Sequence, residues 1–131
     1  MIGCSMLNIA SYMVDPNQAL QVAPWIALLT PERALALSLR AALNEEISFR
    51  LFLFPLVAWV FKRFIHSHQA SLVIGALASS FVFGLIHPGF VMAFLTGLAI
   101  VYIYHQCGLF PAMSVHFLID AISWVSISVM L

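Results

Sequence analysis

The chain has 131 residues, 63% of them hydrophobic and 8% charged, with a mean hydropathy of +1.06 and a formal net charge of zero. A soluble domain carries about 45–50% apolar and about 25% charged residues, so the composition excludes a soluble globule and indicates a multi-pass integral membrane protein. The absence of any basic run argues against nucleic acid as a partner, and the length allows one domain of at most four or five spans at about 20 residues each.

The expected architecture is all-α: a polytopic membrane helix bundle of about four transmembrane helices preceded by an N-terminal interfacial segment. Residues 1–29 form that segment and residues 30–131 the transmembrane core. Met1-Ile2-Gly3-Cys4 has the outline of a lipoprotein cleavage site, but no charged or apolar region precedes it, and no ordinary signal peptide is expected. Cys4 and Cys107 lack metal-type spacing and imply no disulfide framework. Residues 1–14 are apolar but too short to span, and Asp15-Pro16-Asn17 reads as a turn. From Gln18 to Leu29 the chain is expected to lie in the interface, anchored by Trp25 at headgroup level.

Thr30-Pro31-Glu32 supplies an N-cap, a first-turn proline and an acid at the positive end of a helix dipole. The helix it starts is expected to run from Pro31 to about Phe64, with a kink at Pro55. Lys62-Arg63 and His66-Ser67-His68 mark a water boundary. A second span is predicted from about Gln69 to His87, stopped by Pro88-Gly89, with Ala76, Ser80 and Gly84 forming a small-residue stripe for close helix approach. A third runs from Phe90 to about Gln106 and repeats the device with Ala93 and Gly97; Cys107-Gly108 turns the chain. The fourth starts at Phe110 or Pro111 and continues to Leu131. Arg33 and Arg40 at one end of the first helix offset Lys62 and Arg63 at the other, so the positive-inside count leaves orientation open.

The polar residues inside these spans carry the functional signal. Glu45, Glu46 and Arg50 fall within six residues, just before the apolar run Leu51 to Phe61. Three such charges oppose insertion of a lone helix by about 8–10 kcal/mol, against about 4–5 kcal/mol returned by the apolar neighbours. Other helices must cover them, and charges kept inside a membrane bundle are functional by default. Glu46 and Arg50 have the favourable i,i+4 orientation of a helical ion pair. Glu45 lies about 100° around the helix, without an obvious local partner. It is either a desolvated carboxylate suited to accept a proton from water or a second acid sharing Arg50; the spacing supports both equally.

His87 ends the second span with Phe83 one turn before it on the same face; alone, it reads as a capping or interface residue. His116 and Asp120 share a face of the fourth helix, so Asp120 is placed to fix the His116 tautomer. As a purely structural clamp that pair would be worth roughly 1 kcal/mol. His66, His68 and His105 read as interface residues. Ideal straight spans leave His116 roughly 10 Å or more from the depth of His87, so a common site requires tilt, a kink near Pro55, or a turn at Pro88-Gly89 inside the bilayer.

The ordered set Glu45-Glu46-x-x-x-Arg50, Phe83-x-x-x-His87 and His116-x-x-x-Asp120 resembles the CPBP family of intramembrane proteases, which includes the type II CAAX prenyl endopeptidases and bacterial relatives linked to bacteriocin self-immunity. The likeness covers roughly Ala34 to Trp124, and Phe94-Leu95-x-Gly97 and Gly108-Leu109-Phe110-Pro111 also fit it. The resemblance implies a glutamic endopeptidase without metal or other cofactor, acting on a membrane-associated peptide or protein in a prokaryotic cell membrane. Residues 30–131 would then be its protease core. Glu45 would activate water, His87 would help position it, and His116 with Asp120 would stabilise the oxyanion. Glu46, Arg50 and Phe83 would support the site. Asp120 stands where the best-known members have asparagine, which implies a protonated carboxyl or an indirect role. Larger relatives carry further spans before the acidic motif, so a minimal member, a fragment or a degenerate copy is expected. General membrane-peptide proteolysis ranks above prenyl-protein processing, since no groove for a lipid chain is legible. Two rival readings remain: a zinc hydrolase using His87, His116 and a carboxylate, and a non-catalytic immunity or scaffold protein.

Overall fold

A computed structural model describes residues 28–87 and 89–130, and the expected interfacial segment falls almost wholly outside them. The first helical run consists of α1 (Pro31–Glu46), a π-helical segment (Ile47–Leu53) and α2 (Phe54–Lys62); α3 (His68–Leu85), α4 (Phe90–Cys107) and α5 (Leu109–Met130) follow. The protein is a helical membrane bundle. Helices α3, α4 and α5 are each long and apolar enough to cross a bilayer. The first run, expected as a fourth span, is not among these three: its acids and arginine interrupt the apolar stretch. Phe52, Leu85, Phe110 and Ile122 are more than half exposed, as lipid-facing side chains on the outside of a bundle should be.

The helix ends lie close to where the sequence signals put them. Thr30 caps α1, its hydroxyl oxygen accepting from the Arg33 N–H, and Ser67 caps α3 by accepting from Ala70. Hydrogen bonds hold the exposed Glu32 carboxyl in the first turn below its usual pKa. Gly89 and Gly108 flank α4 with φ of 85° and 92°, a backbone region open chiefly to glycine.

Pro55 is met in an unexpected way. Proline lacks an N–H, and its ring crowds the carbonyl four residues back, here that of Leu51. The helix widens just before it, and the Phe54 N–H bonds to the Phe49 carbonyl, five residues away.

Helix α1 packs against α5, α2 against α3, and α3 against α4. Small residues set each approach. On α1 the buried positions are Ala34, Ser38, Ala42 and Glu46, a four-residue repeat that points the second acid into the bundle. On α3 the expected stripe meets α4: Ser80 lies against Gly97 and Gly84 beneath Phe90, while Gly75 packs closely on Phe54 and Ala58 of α2.

Tyr104, near the C-terminal end of α4, packs on Phe54, with ring centroids 6.0 Å apart. Glu45 Oε2 and His116 Nε2 stand 3.6 Å apart, so the depth mismatch expected for straight spans is absent.

A Cβ at position 75 would stand 2.9 Å from the Phe54 carbonyl oxygen and 3.0 Å from the Ala58 Cβ. Gly75→Ala is therefore expected to destabilise the protein by about 1–3 kcal/mol in detergent unfolding, whereas exposed Leu77→Ala should stay within about 0.5 kcal/mol.

Candidate active site

Four ionisable side chains from three elements meet around the His116 ring, with Arg50 behind them. Glu45 and Glu46 end α1, Arg50 sits in the π-helical segment, His87 follows α3, and His116 and Asp120 share one face of α5. All seven site residues expected from the sequence, Phe83 included, lie within this one cluster.

The two glutamates hold opposite sides of one imidazole. Glu46 Oε1 is 2.7 Å from His116 Nδ1, a buried hydrogen bond. Glu45 Oε2 is 3.6 Å from His116 Nε2 and 3.4 Å from His87 Nε2. Consecutive helix positions about 100° apart are what allow neighbouring acids to reach both ring nitrogens. Asp120 Oδ2 lies 3.5 Å from the same Nε2 that faces Glu45. The expected contact of Asp120 with the His116 ring is present at Nε2, and Glu46 adds a second, shorter contact at Nδ1.

Glu46 and Arg50 are 0% and 1% exposed, against 17% for both Glu45 and Asp120. The deep pair is the i,i+4 contact between Glu46 Oε2 and Arg50 Nε at 3.3 Å, angled short of a hydrogen bond. Arg50 Nη2 donates to the Gly97 carbonyl at 3.3 Å, and its Cζ lies 4.7 Å from the centre of the Phe83 ring. Phe83 also stacks on His87 at 4.2 Å, meets Phe49 edge-on at 5.3 Å, and presents an edge contact to His116 at 6.0 Å. This ring separates the arginine from the imidazoles and fixes both.

His87 Nδ1 is 2.7 Å from the Phe83 carbonyl oxygen, so that nitrogen carries a proton and donates. Its Nε2 is turned to Glu45, whose Oε2 is buried and accepts no hydrogen bond from the protein. A buried carboxylate oxygen thus faces two imidazole nitrogens. Among the described residues, no three His, Cys, Asp or Glu side chains are grouped as a metal site would need.

Two contacts were not anticipated from the sequence: Glu46 with His116, and Arg50 with the Gly97 carbonyl. The first had a signal in the Ala34, Ser38, Ala42 repeat, which runs on in register to Glu46. The second had none, because a backbone acceptor leaves no trace in residue identity.

The family model described as type II CAAX prenyl endopeptidase, Rce1-like, matches residues 25–122. The chain belongs to the Rce1-like family. No curated protein and no solved structure matches it. Rce1-like membership makes the protein a membrane protease by class, with a bilayer-associated peptide as its class of substrate. The match extends from the segment before α1 into α5 and takes in every residue of the cluster.

Removing one partner of a buried ion pair typically costs about 3–5 kcal/mol. Arg50→Met is expected to destabilise the Rce1-like bundle by about that amount in thermal unfolding, whereas exposed Arg40→Met should change stability by about 0.5 kcal/mol or less.

Proposed function

We propose that the protein is an intramembrane endopeptidase in which Glu45 activates water for attack on a peptide bond. The observation carrying this reading is the buried Glu45 Oε2, facing His87 Nε2 at 3.4 Å and His116 Nε2 at 3.6 Å without a hydrogen bond of its own.

A water held between Glu45 and His87 gives a proton to Glu45, and its oxygen bonds to the scissile carbonyl carbon. The carbonyl π electrons move to oxygen, and the developing charge is met by the N–H of His116 Nε2. With Nδ1 donating to Glu46 and Nε2 facing two further carboxylates, His116 is placed to donate from both nitrogens. Collapse breaks the C–N bond, and the proton on Glu45 passes to the departing amine. His87 is oriented by its Nδ1 bond to Phe83, leaving Nε2 to hold the water. Asp120 balances the charge on His116 from the more open side of the cluster. Residues 30–131 would form the protease unit.

The family assignment favours a CAAX-type substrate, a C-terminal peptide beside a prenylated cysteine. Catalysis by a single positioned base contributes about 10²–10⁴-fold. Glu45→Gln is therefore expected to lower kcat by that factor on a farnesylated CAAX reporter peptide in detergent, with unfolding temperature little changed. Full activity in that variant would remove the glutamate mechanism. Equal cleavage of farnesylated and unprenylated peptides would point to general membrane-peptide proteolysis. Loss of activity with chelators, restored by zinc, would point to the metal mechanism instead.

A further inference from the structure

The two carboxylates beside Glu45 are not equivalent. Glu46 is fully buried, ion-paired to Arg50, and 2.7 Å from His116 Nδ1. Asp120 is partly open and 3.5 Å from Nε2, the nitrogen shared with Glu45. Arg50 is in turn fixed to α4 through the Gly97 carbonyl and lies over the Phe83 ring. A chain of contacts thus runs from the α4 backbone through Arg50 and Glu46 to one nitrogen of His116.

We propose that Glu46, held by Arg50, is the positioning residue that keeps a proton on His116 Nδ1 and turns the Nε2–H toward the substrate, and that Asp120 does not hold the Nδ1 proton. This rests on the protease reading for its importance to catalysis, but the proton position is a property of the resting protein. Three features of the contact carry it. The bond is short, it lies where water is excluded, and its acceptor is ion-paired on the far side to Arg50. Holding Nδ1 also fixes the ring plane, because a flipped ring would take its N–H away from Glu46. Phe83, edge-on to the ring, supports the same orientation.

Ring-¹⁵N histidine labelling in detergent micelles tests this, with the His116 signals assigned by loss in His116→Gln. In the unaltered protein Nδ1 should give the signal of a protonated nitrogen. Glu46→Gln offers an amide N–H to the same atom, so a large fraction of His116 should shift to an unprotonated Nδ1. On a cleavable peptide, kcat should fall about 10–100-fold with KM within about twofold, the size expected when a partner that orients a functional histidine is lost. Asp120→Asn should leave the Nδ1 signal in place. An Nδ1 that stays protonated in Glu46→Gln, or that loses its proton in Asp120→Asn, overturns the assignment. If Glu46→Gln does not fold, the Asp120→Asn arm and the unaltered protein decide alone. The nitrogen signals are read without substrate, so a failed protease reading and a failed tautomer assignment give different results.

Discussion

The contact on which the rest of the structure depends is the buried line from Arg50 through Glu46 to His116. Each of these groups would be costly in hydrocarbon by itself. Together they put an arginine, a glutamate and an imidazole in contact across the α1–α5 interface, with the Gly97 carbonyl and the Phe83 face closing the arginine end. The small side chains of α1 make this possible, since Ala34, Ser38 and Ala42 let α5 come close enough for a glutamate to reach the ring. Once Glu46 is committed to that role, Glu45 on the next position is left facing the histidines without a hydrogen bond.

The π-helical segment before Pro55 widens the first run between its α5-facing half and its α3-facing half. His116, early in its helix, meets Glu45, late in its own. Gly97 serves both ends of this arrangement. Its missing side chain admits Ser80, and its carbonyl receives Arg50. The positions that fix the fold and those that form the site are therefore partly the same.

Much of this was legible in the residues themselves. Thr30-Pro31, Ser67, Gly89 and Gly108 mark helix ends by capping chemistry and backbone freedom, which are local properties. The motif residues identified which side chains were too costly in lipid to be incidental. Their mutual depth was not legible, because counting 1.5 Å per residue assumes straight parallel spans, and tilt arises from packing between distant segments. Asp120, the neighbour of His116 along its helix, was legible as a partner; Glu46, 70 residues away, was not, and makes the shorter bond. The Ser80 and Gly84 stripe was legible from its four-residue spacing, whereas the contact of Gly75 with α2 was not, because a lone glycine has no repeat to mark its face.

The most direct test of the account is a double-mutant cycle between Glu46 and His116, read as unfolding free energy in one detergent. Glu46→Gln, His116→Gln and the double variant complete the cycle. Residues in one hydrogen-bonded network couple by about 0.5–3 kcal/mol, whereas independent sites add within about 0.5 kcal/mol. The account predicts a coupling of at least about 1 kcal/mol; additivity across the cycle would contradict the contact from which the whole site is built.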